Sequence, residues 1–130
     1  MRATIVVVAA VLGLFGAHVV QAHHSYADFD VERTVTVQGT IEDILFANPH
    51  VVLKVRTRDA GLYTATWNAA GQLSRQGVSA THLKKGDAVV VVGNPSTKRA
   101  EVAKIREVRR PSDGWAWRME DGRVSVTASR

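Results

Sequence analysis

The stretch Ala69-Ala70-Gly71-Gln72-Leu73-Ser74-Arg75-Gln76 (AAGQLSRQ) is a short helical segment in a chain that otherwise alternates like β-strand. Gly77 closes it, as a helix stop should. Its position decides the fold. Leu62 to Trp67 (LYTATW) precedes it as a strand with Tyr63, Ala65 and Trp67 in phase. Before the Asp59-Ala60-Gly61 turn comes His50 to Thr57 (HVVLKVRT), where Val51, Leu53 and Val55 share one face. His50, Val52, Lys54 and Arg56 share the other, wetter face. Earlier still, Thr34 to Ile41 (TVTVQGTI) alternates through Val35, Val37 and Ile41. Gly39 marks an expected bend or bulge in that strand. Asp43 breaks the alternation, and Asn48-Pro49 is a turn signal.

Working towards the C-terminus, Ser79 to Leu83 adds a turn and Lys84-Lys85-Gly86-Asp87 another. Ala88 to Val92 (AVVVV) is a continuous apolar run of the kind buried on both faces. Gly93-Asn94-Pro95-Ser96 is expected to turn the chain, and Glu101 to Arg109 returns as an amphipathic strand. Three strands, a short helix and two more strands is the order of an OB-fold-like barrel, mostly β with one helix. A small open β-sandwich is the alternative.

The N-terminus has a different character. Met1 and Arg2 are followed by a short apolar run, TIVVVAAVLGLF, and then by small residues ending in Val20-Gln21-Ala22. This is the order of a secretory signal peptide, with cleavage expected after Ala22. A membrane span needs about 20 apolar residues, and this run is shorter. The expected organisation is therefore a signal at 1–22, an N-terminal segment at 23–33, the barrel at 34–109 and a tail at 110–130. Arg123 to Thr127 could be a last strand, and Ser25 to Arg33 and the tail are expected to be the least ordered parts. The expected compartment is the periplasm, with no stable membrane span after cleavage.

The chain has no cysteine, which removes disulfides and any thiolate metal site. Its formal net charge is +5, and only Arg2 leaves with the signal. A basic exported domain suits an acidic protein, a glycan or a lipid head group rather than nucleic acid. Lys54, Arg56, Lys104 and Arg106 are candidates for such a basic face. No P-loop, Rossmann glycine pattern or HExxH is present. Ser79 and His82 read as a polar turn, not as a nucleophile with its base. Trp115 and Trp117 could stack on a ligand, but packing of the tail onto the barrel is the simpler account.

The histidines carry the sharper signal. Cleavage after Ala22 makes His23 the first residue. Its α-amine and ring Nδ1 can then chelate one metal ion, because the amine loses its proton near neutral pH. A further imidazole opposite would complete a three-nitrogen set, which suits Cu(II), with Zn as the lesser alternative. His50 and the adjacent His24 are the candidates for that third nitrogen. Asp28 and Asp30 could orient a liganding ring. The plainer account is a frayed polar terminus and a His50 that hydrogen-bonds the Asn48-Pro49 turn.

Several of these motifs together resemble a domain-of-unknown-function family of small exported bacterial proteins. The matching features are His23-His24-Ser25-Tyr26, the acidic pair Asp28 and Asp30, Val37 to Ile41 with Gly39, and Asn48-Pro49-His50. Leu83-Lys84-Lys85-Gly86-Asp87 fits the family's turn before the fourth strand, with Lys85 where proline is common. The resemblance implies an exported OB-like domain and names no reaction. It strengthens the expectation that His23, His24 and His50 act together. The expected function is a non-catalytic, copper-binding domain. A basic interaction module is the alternative, and an oxygen-activating copper enzyme is a third, disfavoured by the lack of a broad aromatic surface.

Overall fold

The computed structural model describes residues 26–59 and 61–130. Seven strands and one helix follow in order: β1 (Val35–Leu45), β2 (Val52–Thr57), β3 (Leu62–Thr66), α1 (Ala70–Arg75), β4 (Ala88–Pro95), β5 (Val102–Arg110), β6 (Trp115–Glu120) and β7 (Arg123–Thr127). One sheet runs β3-β2-β1-β4-β5-β6-β7, and a parallel β3–β5 pairing closes its first five strands into a barrel. The helix falls between the third and fourth strands, so the OB-like expectation holds.

Alternation puts Val37 and Ile41 of β1, Leu53 and Val55 of β2, and Tyr63 and Ala65 of β3 into one core. Val51 and Trp67, which flank β2 and β3, join them. The two are tied by backbone bonds: Trp67 N–H donates to the Val51 carbonyl (2.7 Å), and Val51 N–H donates to the Asn68 carbonyl (3.0 Å). From α1, Leu73 enters the same core with no exposed surface. Each such side chain contributes roughly 1.5–3 kcal/mol relative to leaving it in water. β4 is buried on both faces, as its apolar run requires: Val89 and Val91 face the core, while Val90 is also covered.

Three local features depart from expectation. The bulge in β1 does not fall at Gly39. The register with β2 slips between Ile41 and Asp43, leaving Glu42 as the extra residue. That slip explains why Asp43 breaks the sequence alternation. Gly39 is there because strands crowd it: a Cβ at this position would lie 2.2 Å from the Arg56 carbonyl oxygen. The Gly93-Asn94-Pro95 segment is strand rather than turn, since it continues β4 opposite Ile105, Lys104 and Ala103.

Residues 110–130, expected as an irregular tail, form a hairpin instead, with β7 at the anticipated Arg123–Thr127. β6 pairs with β5 and β7 with β6. Trp115 and Trp117 are 1% and 0% exposed, so they pack and offer no stacking surface. Trp117 meets Trp67 edge-on (5.1 Å between ring centres, 75°) and donates its indole N–H to Gln76 Oε1 (3.1 Å). Arg110 secures the hairpin's base through Asp113 (2.7 Å) and Asp87 (2.9 Å). These partners raise the Arg110 guanidinium pKa and hold the Asp113 carboxyl below its ordinary value.

Because Gly39 faces backbone rather than a flexible side chain, Gly39→Ala is expected to cost about 3 kcal/mol or more. Urea unfolding reads this as a lower midpoint with an unchanged slope.

Candidate functional site

His50 immediately precedes Val51 and β2. Since Val51 points into the core, the strand parity puts His50 on the outer face, in phase with Val52. Val52 pairs with Thr66 of β3, and Thr66 pairs with Lys104 of β5. The seam that closes the barrel therefore sets His50, Thr66 and Lys104 side by side on its outer surface.

Two irregular segments roof this seam. One is Tyr26 to Arg33, and the other is the β4–β5 connection from Ser96. They are stitched together by an isolated bridge between Phe29 and Ser96. Asp30 N–H donates to the Pro95 carbonyl (2.9 Å), and Thr97 N–H donates to the Asp28 carbonyl (2.9 Å). Asn94, 2% exposed, donates its side-chain amide to the Arg33 carbonyl (2.7 Å). Lys98 forms an ion pair with Asp28 (2.6 Å). So Tyr26 to Arg33 is tied to the barrel, and the buried amide of Asn94 is one of its fastenings.

Beneath the roof lies a cavity of about 220 Å³, lined by Asp28, Phe29, His50, Thr66, Ser96, Lys98, Arg99, Val102 and Lys104. A larger open groove of about 710 Å³ runs past Thr36, Gln38 and Arg56, but it contains no histidine. Two groups in the smaller cavity have unusual surroundings. The His50 Nδ1 atom is buried with no hydrogen-bond partner among the described residues. The expected bond to the Asn48-Pro49 turn is absent, because Asn48 Oδ1 accepts from Gly71 N–H instead (3.1 Å).

The second group is Lys104, 3% exposed. Its ammonium donates to the Trp67 carbonyl at a long 3.4 Å and lies 5.4 Å from the centre of the Tyr26 ring. No carboxylate pairs with it among the described residues. Burial accordingly pushes its pKa below the ordinary lysine range.

The expected basic face is broken up by these facts. Lys104 is covered rather than displayed. Arg56 is bound to Glu42 (2.6 Å), and Lys54 approaches Asp43 at 3.9 Å. Arg106 is half-buried. Asp28 and Asp30 do not orient the His50 ring: Asp28 is engaged by Lys98, and Asp30 accepts from Glu32 N–H (3.1 Å). His82 Nδ1 accepts from Ser79 N–H (3.0 Å), the polar turn expected of that pair. His23 and His24 lie outside the described residues, as do residues 1–22. Among the described residues, no three histidine or carboxylate side chains gather around one point. No helix among them is long and apolar enough to cross a membrane.

The sign of the lysine effect is definite. A folded-state pKa below the unfolded value means the unfolded chain binds more protons between the two, so stability rises with pH there. The burden is full below the folded pKa and vanishes above about 10.4. Lys104→Met is therefore expected to melt several degrees higher than the parent at pH 7 in a buffer free of phosphate and sulfate. That advantage should shrink as the pH approaches 10, as calorimetry at a series of pH values would show.

Comparison with known proteins adds family membership and little else. No curated protein matches the chain. A crystal structure of TiaS in complex with tRNA and ATP is similar at 18% identity and a TM-score of 0.46. The match covers 78% of this chain and 24% of that one. The model of a family of unknown function, DUF6152, matches residues 12–104, and the chain belongs to that family.

Proposed function

We propose that the protein is an exported, non-catalytic domain that binds Cu(II) through the His23 amine and ring together with His50. His24 assists, and Zn is a weaker competitor. The observation that carries this reading is the placement of Tyr26. Its ring lies over Lys104, which lines the same cavity as His50. His23 is three residues earlier in the chain, a span of at most about 11 Å when extended. The unpartnered Nδ1 of His50 supports the proposal, since a buried imidazole nitrogen ordinarily has a partner. Because no other cluster of ligands is found among the described residues, a metal at His50 would need its remaining nitrogens from the N-terminal histidines.

The chemistry fits copper better than other divalent ions. An amine and imidazoles without any thiolate or dense carboxylate set favour Cu(II), which also heads the divalent affinity order. The amine is available only after cleavage behind Ala22. The basic-module reading is weaker, because its four residues do not form one exposed patch.

Titration of the chain beginning at His23 should show one tight Cu(II) equivalent. One alanine added before His23 displaces the chelating amine, and His50→Ala removes the opposing ring. Loss of an outer-shell partner alone costs 10–100-fold in metal affinity, so each change should weaken binding by at least about 100-fold. Equal affinity in the extended form would exclude the amine-dependent site.

A further inference from the structure

Lys104, whose ammonium is buried, lines the cavity beside His50, and no carboxylate pairs with it among the described residues. Lys104 has three N–H donors and, among the described residues, a single long hydrogen bond, to the Trp67 carbonyl. Residues 1–25 contain no aspartate or glutamate, so no side-chain carboxylate from that segment can approach it. Buried charges are ordinarily paired, because an isolated one loses its hydration without compensation.

The other charged residues of the lining, Asp28, Lys98 and Arg99, are net basic. Lys98 is balanced by Asp28 at 2.6 Å. Arg99 has no ion-pair partner among the described residues. The cavity thus holds Lys104 and Arg99 in excess, with the hydroxyl-bearing residues Ser96 and Thr66 also in its wall. Ser96 Oγ accepts from the N–H groups of Lys98 (3.1 Å) and Arg99 (3.2 Å), which fixes the turn carrying both basic side chains. An ammonium, a guanidinium fork and hydroxyls around a recess of about 220 Å³ suit a compact tetrahedral dianion.

We propose that this cavity binds a phosphate group, free or as the terminal phosphomonoester of a lipid, with Lys104 as its buried anchor and Arg99 as its second cationic contact. The bound anion gives Lys104 the counter-charge that the described residues do not supply. The proposal does not require copper, since its main contacts are not the proposed metal ligands.

The test uses chelator-treated protein beginning at His23, its alanine-extended form, and Lys104→Met, which removes the charge while keeping the length of the side chain. Inorganic phosphate should raise the melting temperature of the first two equally and bind them with the same affinity by calorimetry. In Lys104→Met the affinity should fall about 10- to 100-fold, the loss expected for a charge-assisted contact. Arg99→Gln should fall less, and acetate should bind the parent more weakly than phosphate. Vesicles containing phosphatidic acid that compete with inorganic phosphate would assign the group to a lipid. Phosphate binding without vesicle binding would assign a free anion. Absence of phosphate binding, undiminished binding by Lys104→Met, or equal binding of acetate would each overturn the proposal. Loss of copper binding in the extended form with retained phosphate binding separates this site from the metal site.

Discussion

The parallel pairing of Thr64, Ala65 and Thr66 with Val102, Ala103 and Lys104 is the constraint on which the molecule depends. Without it β3 and the first half of β5 would present open edges, which is a liability for a small domain. With it the inward residues of five strands share one core, and α1 can lay Leu73 into it. The same pairing has an outward consequence. It turns the closure seam into a surface where residues distant in sequence, His50 and Lys104, line one cavity.

The seam would be an ordinary solvent-facing surface were it not roofed. The roof exists because Asn94, at the end of β4, holds Arg33, and because Phe29 bridges to Ser96. Roofing has a cost, since it takes Lys104 out of water with little in return beyond the Tyr26 ring and a long bond to Trp67. A fold governed by stability alone would place an apolar residue there. An anion beside Lys104 would also offset its repulsion of a copper ion at His50, so the two proposed occupants are compatible.

Much of the barrel was legible because its strands are half-buried and alternate cleanly. Val51, Leu53 and Val55 marked β2, and the continuous AVVVV run marked a strand covered on both faces. The short helix was legible from AAGQLSRQ and Gly77. What was not legible depended on partners remote in sequence. Gly39 signalled a special backbone position, but a close approach by Arg56 and a bulge give the same letter. Gly93-Asn94-Pro95 has turn composition, yet pairing with β5 keeps it extended, and nothing local announces that Asn94 fastens the N-terminal segment. Lys104 looked like a surface cation because alternation set it on the outer face; the roof that covers it includes Tyr26, which is remote in sequence. For the candidate site, His50 was singled out by its motif, while the cavity and its basic lining depended on the closed seam.

The central claim is that the processed N-terminus and His50 share one metal ion. Electron paramagnetic resonance of the chain beginning at His23, loaded with one equivalent of Cu(II), tests it most directly. The account predicts hyperfine structure from three nitrogen ligands, reduced to two by His50→Ala with the protein still folded. A spectrum unchanged by His50→Ala would contradict it.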